Sequence, residues 1–378
     1  SARGRLDPVD ASMVVEAGCT LAGVRAAAAA AGLFYPVSLA SEGTATIGGT
    51  LATNAGGNLT IRYGNTREQV LGLEVVLADG RIWSDLDPLR KDNSGYDLKQ
   101  LFIGSEGTLG IITAATLKLA PAPRQSLTAM LACPDLPTTM VLLKHLRAGL
   151  GECLSACEFM PRLALGFVLA DQPILRDPCE RPHPWYVLVQ ADSSLPGDSL
   201  EVAAHSVLNQ ALENNLCHEV VVAGSNAQAD ALWALREGIS AAQTHGGVSL
   251  KHDISVPVAR IPEFVVETVS LLEQAVPGIR PCIFGHLGDG NLHFNLSQPE
   301  DMAAEAFRAL EPACNRIVFD QVRRYRGSIA AEHGIGQLRR DELAAGQPLK
   351  VALMGKIKQA LDPNGLFNPG KLVRPCQR

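Results

Sequence analysis

The stretch Gly285–Leu296 reads Gly-His-Leu-Gly-Asp-Gly-Asn-Leu-His-Phe-Asn-Leu and holds two of the nine histidines, His286 and His293. Asp289-Gly290 is a preferred central pair for a two-residue hairpin turn, because both positions tolerate positive φ. With that pair as the turn, His286 and His293 fall directly opposite each other, their Cβ atoms roughly 5 Å apart on one face of the ladder. Two imidazoles held in this way can share a metal ion. Asn295, two residues beyond His293, points to the same face.

A second stretch, Ala331-Glu332-His333-Gly334-Ile335-Gly336, sets a carboxylate beside a histidine and follows them with glycines. Two histidines and one glutamate form a catalytic type of zinc site, with a coordination position open to water or substrate. His333 is then available for proton transfer. A lone histidine is ordinarily a loop residue filling a polar niche. The composite of His286, His293, Glu332 and His333 is what points to a metal.

The elements that must position these residues follow from periodicity. Met13–Glu16 reads as a strand, and Thr20 caps a helix running to Ala31 with Gly32 as its C-cap. Val70–Ala78 is a strand turned by Asp79-Gly80 into Arg81–Ser84. A polar segment, Lys91–Asp97, and a glycine-punctuated loop, Phe102–Ile112, lead to the boundary at Ala120-Pro121-Ala122-Pro123. Beyond it, strands at Thr128–Cys133, Trp185–Asp192, Glu219–Ala223 and Ser249–Pro257 alternate with helices at Thr138–Gly149, Leu200–Asn214, Gln228–Thr244 and Ile261–Ala275. Cys153 and Cys157 fit one face of a helix. The expectation is an α+β layer with helices on one face of an antiparallel sheet. Helices near Met302–Arg324 and at Leu349–Leu361 follow, then the tail Phe367-Asn368-Pro369-Gly370-Lys371.

The 378 residues suffice for two or three domains. A hydrophobic share of 47% and a charged share of 19% can fill a sizeable core. The net charge of −6, with dispersed Lys and Arg, gives no footprint for nucleic acid. No apolar run reaches the length of a membrane span, and no signal segment is visible at the start. Nine cysteines without a Cys-x-x-Cys pair read as free thiols in a reducing compartment, so a cytoplasmic location is expected.

Between Ser41 and Gly57 the chain is dense in small residues. Glycine there permits close approach of backbone to a ligand, and exposed N–H groups can bind phosphate or ring heteroatoms. The segment lacks the Gly-x-Gly-x-x-Gly fingerprint, so a nicotinamide-binding unit is not indicated.

Taken together, Thr46-Ile47-Gly48-Gly49 with Asn54-Ala55-Gly56-Gly57, Gly104-Ser105-Glu106-Gly107-Thr108-Leu109-Gly110, Leu235-Arg236-Glu237-Gly238-Ile239, Lys251–Pro257, Gly285–Leu296, Ala331–Gly336 and Asn368-Pro369-Gly370-Lys371 resemble the vanillyl-alcohol-oxidase superfamily of FAD enzymes. The resemblance is to its D-2-hydroxy-acid dehydrogenase branch and, within that, to the D-2-hydroxyglutarate dehydrogenases. It covers nearly the whole chain in the family's order. It implies an α+β fold: the C-terminal part of a PCMH-type FAD-binding domain followed by a ferredoxin-like FAD-linked oxidase C-terminal domain. The implied divisions are residues 1–122 for FAD, 123–330 for substrate, and 331–378 as a segment returning to the flavin. Thr46, Ile47, Gly48, Gly49, Asn54, Gly56, Gly57, Glu106, Gly107, Gly110, Ile111 and Asn368 match residues that line FAD. His286, His293 and Glu332 match ligands of Zn²⁺ or another divalent metal. Arg236 and Lys251 match residues that grip substrate carboxylates, Asn295 a substrate contact, and His333 the general base. Arg236 and Lys251 by position alone read as a surface ion pair and a solvated strand end.

The family begins with a longer portion that includes a glycine-rich loop around the FAD pyrophosphate. Here the chain opens at the strand after that loop, and Arg3-Gly4-Arg5 is too short to replace it. Weak FAD binding is the expectation for the chain as given. The implied reaction is oxidation of a D-2-hydroxy acid to the 2-oxo acid. Two cations beside a metal favour a dicarboxylate such as D-2-hydroxyglutarate, since buried charges without partners cost several kcal/mol. The alternatives are D-lactate or glycolate as substrate, or an FAD-free inactive fragment. The resemblance also implies an electron acceptor, such as an electron-transfer flavoprotein, quinone or cytochrome, and is compatible with a homodimer.

Overall fold

The structure, a computed structural model, describes residues 5–374. Arg3, Gly4 and Cys376 lie outside the described residues. The chain forms two compact units, Ser1–Ala122 with Glu332–Arg378, and Pro123–Ala331.

The first unit is built on a five-stranded antiparallel sheet in the order Leu6–Asp7, Ser12–Glu16, Ile111–Lys118, Val70–Val76 and Ile82–Asp85. Met13 and Val15 alternate into the core, as a half-buried strand requires. The helix Leu21–Ala30 is capped by Thr20, whose hydroxyl accepts from the Gly23 N–H at 3.2 Å, and buries Leu21, Val24 and Ala28. The Asp79-Gly80 turn forms as the sequence indicates, with Gly80 at φ +84°.

The C-terminal helix Pro348–Leu361 places Leu361 against this core. Asp362, at its end, is 2% exposed and accepts from the N–H groups of Leu366 and Phe367 at 2.9 and 2.8 Å. It also pairs with Lys358, whose Nζ donates to the Thr108 carbonyl at 2.7 Å.

The second unit carries an eight-stranded antiparallel sheet. Its order is Glu219–Val222, Gln125–Cys133, Trp185–Ser193, Leu154–Pro161, Arg280–His286, Asn291–Ser297 and Ser249–Leu250, with Asp253–Ser255 also paired to Asn291–Ser297. The expectation of helices on one face only does not hold. From Leu127 to Cys133 every residue is buried, and from Leu154 to Met160 likewise. Such continuous burial means that both faces are covered. Met130, Ala132, Tyr186 and Leu188 pack with residues of the helices Arg162–Asp171 and Asn226–Glu237. The residues between them point the other way, where the helices Leu136–Leu150 and Ser199–Glu213 pack.

Cys157 is likewise in the strand Leu154–Pro161, and Cys153 ends a 3₁₀ turn, so they share no helix face. A short apolar run flanked by two partner strands is strand whatever its helical spacing suggests. The helix expected over Gln228–Thr244 divides at Gly238 into Asn226–Glu237 and Ile239–Ala242. Among the described residues no helix is long and apolar enough to cross a membrane.

Burial alone raises the pKa of Asp362, but Lys358 and the two backbone donors outweigh it and hold the carboxyl below its ordinary value. Its stabilisation is therefore complete above the unfolded-state pKa of about 3.9 and is lost as pH falls through the folded pKa. Asp362→Asn is expected to cost about 1.5–3 kcal/mol at neutral pH, measured by denaturant titration. The gap from wild type should close in acid. A gap that persists below the folded pKa contradicts this account.

Candidate active site

The strands Arg280–His286 and Asn291–Ser297 form the hairpin that carries both histidines, with a register that differs from the two-residue turn. His286 pairs with Asn291 and His293 with Phe284, so four residues connect the strands. The cause is a competing partner: the Leu287 N–H bonds the Cys157 carbonyl at 2.8 Å, and Leu287 is fully buried. Asp289 closes the loop by accepting from the Asn291 N–H at 3.0 Å. Gly290 is at φ +86°, where a Cβ would collide with the Val256 carbonyl. The shift is two residues, so it preserves the face. His286 and His293 are diagonal neighbours with ring centroids 5.8 Å apart. Direct opposition is thus wrong, and a shared face is right.

Behind this pair stands a residue the motifs did not single out. Glu158 is 0% exposed and is the cross-strand partner of His286. Its Oε1 lies 2.7 Å from His286 Nδ1. Its Oε2 accepts from Arg236 Nε at 2.9 Å and Nη2 at 2.8 Å. The Arg236 guanidinium stacks on Phe284 at 4.9 Å, and the Phe284 and His293 ring centroids are 5.0 Å apart. Burial pushes the Glu158 carboxyl up, but its interactions with His286 and Arg236 prevail and hold it below the ordinary value. Arg236 is therefore a buried cation whose charge has a partner within the protein. Its charge is matched by Glu158, which removes that half of the dicarboxylate argument.

Asn295 is buried, and its Nδ2 donates to Gln243 Oε1 at 2.8 Å. Gln243, fully buried, donates in turn to Ser297 Oγ at 2.9 Å. This chain fixes which end of the Asn295 amide faces which way. Lys251 is exposed, with Nζ 3.2 Å from the Ser240 carbonyl.

In the first unit, the glycine-rich segment around Gly48 is the short helix Ile47–Thr53. Thr46 caps it by accepting from the Gly49 N–H at 3.2 Å, and Ile47 is core. The N–H groups of Ile47 and Gly48 bond the Cys19 and Ala17 carbonyls at 2.9 and 2.8 Å. These donors are engaged within the unit and are not the exposed cradle that the sequence suggests. Gly110 is a packing glycine, since a Cβ would lie 2.6 Å from Val75, and Ile111 is exposed at the start of its strand.

The remaining matched residues come together. Asn54 ends the helix in the left-handed region at φ +51°, and its Oδ1 accepts from the Arg67 N–H at 2.9 Å. Gly57 lies against the Ser38 carbonyl. At Gly56 a Cβ would lie 3.1 Å from Glu332 Oε1. Glu106 takes the N–H groups of Ile335 and Gly336 at 2.6 and 2.8 Å, and Asn368 donates to the Glu106 carbonyl at 2.5 Å. Gly107 lies against Asn368. Glu106 thus anchors the loop that follows Glu332 and the exposed His333.

Sequence reasoning missed Glu158 and Gln243. A carboxylate inside the apolar run Leu154–Met160 is itself a signal, since Glu is almost never fully buried unless paired. Gln243 leaves no comparable mark.

Residues 122–372 match the family model for the FAD linked oxidases, C-terminal domain, and residues 3–85 that for the FAD binding domain. The D-2-hydroxyglutarate dehydrogenase of Xanthomonas citri pv. viticola is 41% identical over 96% of this chain and 76% of its own length. The mitochondrial D-2-hydroxyglutarate dehydrogenase of Rattus norvegicus is 40% identical, over 97% of this chain and 66% of its own. The chain thus spans about two thirds to three quarters of these relatives. Among solved structures, p-cresol methylhydroxylase with substrate bound shares the fold at a TM-score of 0.74 and 16% identity, covering 98% of this chain and 78% of that one. The 4-ethylphenol oxidase of Gulosibacter chungangensis does so at 0.71 and 16%, over the same shares of the two chains. The chain belongs to the FAD-linked oxidases and, within them, to the FAD-dependent dehydrogenases whose relatives bear the name D-2-hydroxyglutarate dehydrogenase.

Proposed function

We propose that this protein oxidises D-2-hydroxyglutarate to 2-oxoglutarate, using FAD and a divalent metal, zinc by its donor set, held by His286, His293 and Glu332. The observation that carries the reading is the pair of imidazoles on one hairpin face, one of them backed by a carboxylate, the arrangement that accompanies metal-ligating histidines. Glu332 follows Ala331, whose N–H bonds the Asp253 carbonyl at 3.2 Å, and Asp253 is the strand partner of His293. One trans peptide keeps the Glu332 Cα about 3.8 Å from that of Ala331. The relatives' name supports the substrate.

His286, His293 and Glu332 would hold the ion, which would supply Lewis-acid activation of the substrate hydroxyl, and bound FAD would supply the hydride acceptor. His333 accepts the hydroxyl proton, work suited to an imidazole near neutral pH. Asn295, its amide fixed through Gln243, orients the substrate. Lys251 binds the distal carboxylate, and Arg236 keeps Nη1 for a carboxylate oxygen while Glu158 balances its charge. The segments around Asn54, Gly56, Gly57, Glu106, Gly107 and Asn368 line the flavin. An electron-transfer flavoprotein, quinone or cytochrome as acceptor, a homodimeric assembly and a cytoplasmic location complete the proposal. The location rests on the eight described cysteines, all free thiols, a state that reducing compartments maintain.

Elemental analysis is expected to find a bound divalent ion in wild type and little in His293→Ala or Glu332→Ala, with the melting temperature of the metal-free proteins nearly unchanged. Full metal retention in both variants would remove the assignment. In flavin-loaded protein, kcat/KM should favour D-2-hydroxyglutarate over D-lactate and glycolate. Lys251→Ala should erode that preference about 10–150-fold, the equivalent of a charge-assisted hydrogen bond of roughly 1.5–3 kcal/mol. Wild type that prefers D-lactate or glycolate, or a substitution that slows every substrate equally, refutes the dicarboxylate reading.

A further inference from the structure

The Glu158 carboxylate is built into the sheet for one purpose that the proposed ligand set leaves unassigned. Glu158 and His286 are register partners on neighbouring strands, so the backbone sets their side chains about 5 Å apart at Cβ on one face. Both carboxylate oxygens are committed, Oε1 to His286 Nδ1 and Oε2 to two nitrogens of Arg236. Arg236 is 6% exposed and lies over Phe284, which also packs on His293. A carboxylate can only accept, so Nδ1 must carry the hydrogen. In a neutral imidazole the lone pair then belongs to Nε2.

We propose that Glu158 is a positioning residue that fixes His286 as the Nδ1–H tautomer and so presents Nε2 to the metal, with Arg236 locking the carboxylate in that orientation. This rests on the metal reading above. A substitution by glutamine sharpens the point. Arg236 only donates, so it must draw the amide oxygen of Glu158→Gln. The amide N–H₂ then faces His286, Nδ1 becomes an acceptor, and the hydrogen moves to Nε2, the wrong nitrogen for a ligand. Loss of such a partner ordinarily weakens metal binding about 10–100-fold.

The test uses ¹⁵N-histidine protein stripped of metal, studied by long-range ¹H–¹⁵N correlation at mildly alkaline pH, with zinc affinity measured by chelator competition. Wild type should show His286 as Nδ1–H and bind one zinc. Glu158→Gln should show Nε2–H and bind zinc about 10–100-fold more weakly. Nε2–H in wild type overturns the inference, and this arm needs no variant to fold. Equal zinc affinity in wild type and Glu158→Gln also overturns it, while the metal site itself stands. A wild type that takes up no zinc overturns the metal reading, and this inference with it.

Discussion

A fully buried carboxylate is among the most demanding groups a core can hold, and Glu158 sets the terms for the second unit. Taking its charge out of water costs several kcal/mol, recovered only through close partners with good geometry. Its two partners come from different elements, His286 from the central hairpin and Arg236 from the helix Asn226–Glu237. The helix must therefore dock in one register on the sheet, and the hairpin must keep His286 on the helix side. Phe284 fills the gap between Arg236 and His293. Replacing a buried charge cluster of this kind by well-packed apolar residues is often neutral or stabilising, whereas removing one partner alone is strongly destabilising.

The first unit uses a carboxylate differently. Glu106 adopts a left-handed backbone at φ +52° and directs both oxygens to the N–H groups of Ile335 and Gly336. Gly334 must be glycine there: it is at φ +80°, and a Cβ would lie 2.6 Å from Glu106 Oε1. The loop after His333 is thus held by hydrogen bonds to the Glu106 carboxylate. The chain passes from the first unit to the second between Ala122 and Pro123 and returns between Ala331 and Glu332. The proposed third ligand and the proposed base are therefore the first two residues after that second crossing.

Much of this was legible in the sequence because it is local. Thr20 caps its helix, Asp79-Gly80 turns its hairpin, Ile261–Ala275 runs over the residues its periodicity sets, and the two histidines share a face. Each follows from short-range geometry: a cap hydroxyl, a positive φ, a period of 3.6 or 2. The composite histidine and glutamate pattern is likewise read from the sequence, and the metal chemistry proposed for it rests on that pattern and on the shared face of the two histidines.

Tertiary structure decided what depends on partners distant in sequence. Leu287 gives its N–H to Cys157, so the hairpin loop holds four residues instead of two. Strands near Cys157 are buried on both faces, so helical spacing there was misleading and the sheet is covered on both sides. Arg236 reads as a substrate clamp from its motif, yet Glu158, 78 residues away in the chain, neutralises it. Gln243 orders Asn295 across 52 residues. Sequence fixes residue types and local periodicity, but which buried polar group meets which partner is settled by the register of neighbouring strands and the docking of helices on them, and those are properties of the folded chain.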